Sequence, residues 1–146
     1  MSTTDSFDLE RFVAAQAPVW KRVMAELAAA QKESHWMWFV FPQLLGLGRS
    51  AMAERYGIAS RAEAAAYLAH PLLGPRLVEA THAMLAAPFG LSALAILGAP
   101  DDVKFRSSMT LFAAVADRDL GPFGAALARY FGGASDPATI ALLGGR

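Results

Sequence analysis

Glu33-Ser34-His35-Trp36-Met37-Trp38-Phe39-Val40-Phe41-Pro42-Gln43-Leu44-Leu45-Gly46-Leu47-Gly48-Arg49-Ser50 is the stretch on which the reading of the whole chain turns. An amphipathic helix would collect its polar residues on one face, and a half-buried strand would alternate. From Trp36 to Phe41 every residue is large and apolar, and Pro42 closes the run. Such a run has to be buried on all sides, because a contiguous exposed patch of that size would be an interaction or aggregation surface. Polar residues bracket it: Ser34 and His35 before, Gln43 after, then Gly46-Leu47-Gly48-Arg49-Ser50. Gly46 and Gly48 permit a close backbone approach, Arg49 carries a planar guanidinium suited to an oxyanion, and Ser50 reads as the N-cap of a helix. Together they have the ingredients of an anion cradle. The same residues are also what a plain turn into a helix needs, and both readings stay open. A dinucleotide fingerprint is not among them, since no strand precedes the glycines and the third is missing.

To either side the chain reads as helices. Leu9, Phe12 and Val13 fall at i, i+3 and i+4 after Asp8, a possible cap. Ala17-Pro18 interrupts that segment, and Trp20, Val23, Met24 and Leu27 line the next, with Lys21, Arg22, Glu26 and Lys32 expected on its solvated face. Ser60-Arg61-Ala62-Glu63 is a capping box opening a helix that runs to His70, expected to bond the terminal carbonyls before Pro71. Helices are further expected from Gly74-Pro75, over Ser92–Leu97, and from Pro100-Asp101. The last of these has a buried stripe of Phe105, Met109, Phe112 and Ala116, with Lys104, Ser107 and Ser108 as a polar strip beside it. Gly121-Pro122 and Asp136-Pro137 open the last two. No alternating segment, heptad run or repeat is present. The fold class is therefore all-α: one multi-helix domain of about eight helices over residues 7–146, behind a polar tail at 1–6.

Thirteen basic and thirteen acidic residues cancel in a chain of 146 that is 55% hydrophobic and 18% charged. That is the composition of a packed domain rather than a disordered one, and its balance argues against nucleic acid as a partner. With no cysteine, disulfides, thiolate chemistry and Cys-based zinc sites are excluded. Neither a signal-peptide pattern nor an apolar run long enough for a membrane span is evident, so a cytoplasmic location and no membrane partner are expected.

Ser34 to Gln43, Gly46 to Ser50, and Lys104-Phe105-Arg106-Ser107-Ser108-Met109-Thr110-Leu111-Phe112 together resemble the domain-of-unknown-function 1810 family of small bacterial proteins, over about Phe7 to Leu143. The resemblance implies an all-helical single domain and no settled activity. Members are sometimes labelled calpastatin; a calpain inhibitor of that type would be polar and disordered, unlike this chain.

For chemistry, His35 is the general acid/base candidate, as an imidazole changes charge near neutral pH; a hydrogen-bonded structural role is the competing reading. His70 reads as a helix-end residue and His82, mid-helix, as a surface one. No convergent set of metal ligands stands out, so neither a metal nor a cofactor is expected, and the Gly-x-Ser-x-Gly elbow is absent. What remains is a binding constellation. Lys104, Arg49, the Gly46–Gly48 backbone, Ser50, Ser107 and Ser108 would hold an anionic group, Trp36, Trp38 or Tyr56 would offer a stacking surface, and Gln43 an amide. A phosphate carrying a base or a sugar fits that set, provided Lys104 and Arg49 meet. The expected ligand is thus an anionic small molecule bound between the Ser34–Ser50 segment and the Lys104–Ser108 helix. Oligomeric state stays open, with a monomer as the default. The alternative is a helical protein-interaction module docking through the Trp-rich segment. Burial separates the two: tryptophans under a cationic cleft favour the first, tryptophans on a flat exposed patch the second.

Overall fold

The computed structural model describes residues 5–116 and 121–144; residues 1–4 of the expected tail and 145–146 of the expected domain lie outside them. Ten helices are present among the described residues: α1 Glu10–Gln16, α2 Trp20–Ala28, α3 Met37–Val40, α4 Ala51–Arg55, α5 Arg61–Ala69, α6 Leu73–Leu85, α7 Ala93–Leu97, α8 Asp101–Val115, α9 Phe123–Phe131 and α10 Pro137–Leu142. The described residues hold no β-strand, only an isolated bridge between Leu44 and Ile58. The all-α expectation holds, with ten helices in place of about eight; the aromatic run contributes the single turn α3, too short to show a helical period.

Local chemistry sets most of the boundaries. Ser50, Ser60, Ser92 and Asp136 each accept a hydrogen bond from the backbone N–H three residues on, at 3.0–3.1 Å, and so start α4, α5, α7 and α10. This satisfies one of the donors that every helix start leaves unpaired. Two expectations are corrected. The carboxylate capping α1 is Asp5, which accepts from Leu9 N–H at 2.7 Å and Glu10 N–H at 2.9 Å; Asp8 instead takes a left-handed φ of 53° in the turn before the helix. His70 faces forward rather than back: its Nδ1 accepts from the Leu72 and Leu73 N–H groups, at 3.0 and 3.2 Å, and so caps α6.

Helix α8 runs through the middle, packed against α5, α7, α9 and α10. Its residues from Ser107 to Phe112 are buried without a break, so its central part is enclosed on every side rather than along one stripe. Ala116 falls at its cap, half-buried. Phe105 packs edge-on against Phe41 with ring centroids 4.9 Å apart, which joins the aromatic run to the core.

That run is tethered at both ends. On the N-terminal side Glu26 of α2 accepts from Glu33 N–H, Ser34 N–H, the Ser34 hydroxyl and the Trp36 indole N–H, at 2.6–3.1 Å. Burial opposes the charge of this carboxylate, but the Ser34, Glu33 and Trp36 hydrogen bonds outweigh it and bring its pKa from 4.5 down to about 2. Lys32 donates to the Ser34 carbonyl at 2.7 Å, pairs with Asp101 at 2.8 Å, and lies over the Trp36 ring. Glu26 and Lys32 are therefore tethers, not members of a solvated face. On the C-terminal side Leu45 N–H donates to Ile58 and Ile58 N–H to Gln43. Gly57 allows that closure, because a Cβ there would lie 2.8 Å from Leu45 Cα and 2.9 Å from the Ala53 carbonyl. Arg11 locks the outside, donating to Phe7, Asp8, Arg55 and Gly57 carbonyls and pairing with Glu63 at 2.9 Å.

Candidate functional site

The tethers on residues 33, 34 and 36 leave His35 between them exposed, and it lines a cleft of about 510 Å³. Trp38 of α3 and Ser50, the cap of α4, line the same cleft; the opposite wall is Pro100, Asp101 and Lys104 from the start of α8. Lys32 and Glu33 complete the polar lining. Four of the residues singled out in the sequence thus share one opening: His35, Trp38, Ser50 and Lys104. Its size lies within the range of small-molecule sites.

The charges in this cleft are not all spent. Lys32 and Asp101 neutralise each other at 2.8 Å. The first turn of α8 should disfavour a cation at Lys104 unless an acid compensates, yet Asp101 turns to Lys32. Lys104 has no ion-pair partner among the described residues; its ammonium lies 4.9 Å from the centre of the Trp38 ring. Two buried polar atoms of this neighbourhood have no hydrogen-bond partner among the described residues, the Trp38 indole N–H and Asp102 Oδ1. Deeper in α8 the Ser108 hydroxyl is in the same position.

The other predicted residues sit elsewhere. Trp36 is 1% exposed, with its N–H committed to Glu26. Gln43 and Tyr56 line a neighbouring crevice that shares Met37, Trp38 and Lys104 with the cleft and whose volume of about 10 Å³ is room for about one water molecule. Gly48 packs against α4, where a Cβ would meet Ala53 Cβ at 2.8 Å, and Gly46 takes a φ of +104° in the turn before it. Arg49 is exposed and does not line the cleft, although Ser50 beside it does. Ser107 is buried, its hydroxyl 3.1 Å from Asp136 Oδ2 in the cap of α10. Lys32, Glu33 and Asp101 line the cleft although no motif points to them. The Lys32–Asp101 pair joins residues far apart in sequence, and no local pattern announces it.

Among the described residues no three His, Asp or Glu side chains converge as metal ligands, and no helix is long and apolar enough to cross a membrane.

The helical fold built around α8 is one that this chain shares with a solved structure. The chain belongs to the family of proteins of unknown function DUF1810, whose model matches residues 6–143. It is similar to the conserved hypothetical protein Rv1873 from Mycobacterium tuberculosis, known from a crystal structure. The two are 57% identical with a TM-score of 0.92, over 95% of this chain and 98% of that one. No curated protein matches the chain.

Proposed function

We propose that the cleft between the Lys32–Trp38 segment and the start of α8 binds an anionic small molecule, a phosphorylated or nucleotide-like metabolite. One observation carries this reading: the Lys104 ammonium, without an ion-pair partner among the described residues, adjoins a Trp38 indole whose N–H has no acceptor among them. An unmade hydrogen bond at a buried donor costs about 1–3 kcal/mol, and an oxyanion at this place would relieve that cost while pairing the cation. If the ligand is turned over, His35 is the group placed to move a proton, with Lys104 holding the charge that develops. The docking-module reading asks for tryptophans on a flat exposed patch. It has less support, as Trp36 is 1% exposed and Trp38 only partly exposed at a concave wall.

The test is a thermal-shift screen against inorganic phosphate, sugar phosphates and nucleotides, repeated with Lys104→Ala. A ligand at a hundred times its dissociation constant adds about 2.7 kcal/mol of stability, a rise of several degrees. Losing the charged donor should remove about 1.5–3 kcal/mol of binding. Equal shifts in Lys104→Ala and the parent protein would eliminate this cleft as the site.

A further inference from the structure

Resting on the anion-binding reading, we infer that the ligand is a sugar or polyol carrying a single phosphoryl group, rather than a nucleotide or a polyphosphate.

The first argument is charge. Of the two ammonium groups in the cleft, Lys32 is already paired with Asp101, so Lys104 is the cation left to meet an anion. Glu33 lines the same cleft without an ion-pair partner among the described residues, whereas the Asp101 carboxylate is spent on Lys32. A chain of phosphoryl groups would bring several negative charges into a cleft that offers one unpaired ammonium and also holds the Glu33 carboxylate, and like charges repel. One phosphoryl group on Lys104 does not face that penalty.

The second argument is surface. A nucleobase is held by an aromatic or apolar face to stack on. The Trp38 ring already carries the Lys104 ammonium, the Trp36 ring is buried, and Tyr56 is buried and lines the neighbouring crevice rather than the cleft. What the cleft offers next to its cation is hydrogen-bonding capacity. The carboxylates of Glu33 and Asp101 accept, His35 can do either, and the Ser50 oxygen accepts from Ala53 N–H and so keeps its own proton to donate. Carboxylates beside hydroxyl donors suit a row of ligand hydroxyls.

Isothermal titration of the full chain with ribose 5-phosphate, glucose 6-phosphate, inorganic phosphate, ribose, AMP and ATP decides the matter. A sugar phosphate should bind at least tenfold more tightly than inorganic phosphate, AMP or ATP, with free ribose too weak to measure. Glu33→Gln should weaken the sugar phosphate several-fold and leave inorganic phosphate unchanged, which a general loss of structure would not do. AMP or ATP binding as tightly as the sugar phosphates would overturn this inference and leave the anion-binding reading standing. No binding by any phosphorylated probe would overturn both.

Discussion

Replacing Glu26 by Gln removes a charge while keeping the side chain's shape. The carboxylate accepts four hydrogen bonds from Glu33, Ser34 and Trp36, and an amide cannot accept all of them, since its NH2 end only donates. The pKa displacement from 4.5 to about 2 corresponds to roughly 3–4 kcal/mol at about 1.4 kcal/mol per pH unit. Solvent reaches part of this side chain, and screening brings the expected contribution to about 1–2 kcal/mol. Because the folded-state pKa is depressed, this stabilisation is fully present above pH 4.5 and is lost as the pH falls toward 2. Urea unfolding at pH 7 should therefore place Glu26→Gln about 1–2 kcal/mol below the parent, and the gap should close on acidification because the parent loses stability. The Trp36 indole proton should shift in an NMR spectrum of the variant while that of Trp38 stays in place. A gap that is absent at pH 7, or equally wide at pH 3, would refute the tether as described.

Arg11→Ala should cost more, about 3–5 kcal/mol, because it leaves the Glu63 carboxylate, 3% exposed, with Ala59 N–H but no cation; a loss under about 1 kcal/mol in denaturant titration would count against that ion pair. Burial raises the phenol pKa of Tyr67, against a hydrogen bond from Gln16 and the charge of Arg76, and burial likewise raises that of Tyr130. Once unfolded, these phenols ionise near pH 10, so stability should fall as the pH rises above that value. Phenolate absorbance should show a late step missing from Tyr67→Phe, and a Tyr67 titrating at the ordinary value in folded protein would contradict its burial.

Serine and aspartate caps act within four residues of themselves, which is why Ser50, Ser60, Ser92 and Asp136 are legible as helix starts in the sequence alone. The family resemblance, the helical class and the burial of most of the Trp36–Phe41 run are equally legible, since hydrophobicity and motif are properties of short windows; Trp38, half-buried at the cleft, departs from the expectation that the whole run is enclosed. Pairings across the fold are not. Glu26 has the sequence context of one more charge on a helix surface, and only the turning back of the chain lays Ser34 and Trp36 against it. Asp101 lies three residues before Lys104 in the sequence, yet its partner is Lys32. Trp36 and Trp38 are two apart in one run; one is locked under a carboxylate and the other lines the cleft, a difference that only the single turn of α3 creates. Residue chemistry alone brings His35, Trp38, Ser50 and Lys104 into view as candidates. Arg49, Ser107 and Ser108 are as plausible chemically; the packing of α8 and α10 buries the two serines, and the loop before α4 leaves Arg49 exposed outside the cleft.

Arg129 illustrates how such distant pairings bear on time as well as on stability. From α9 it donates to the Met84, Leu85, Ala87 and Pro88 carbonyls, at and just past the end of α6, while Tyr130 beside it bonds Met84. These bonds join groups 41 to 46 residues apart, so the loop between must close before they can form, and closing a loop costs entropy in advance of any contact it gains. A latch of this kind is expected to close after the transition state, and so to add to the barrier against opening. Arg129→Ala should then move the unfolding arm of a chevron plot and leave the folding arm nearly in place, whereas a slower folding arm would mean that α6 and α9 meet at the outset. The latch thus governs how long the folded molecule persists more than how quickly it is reached.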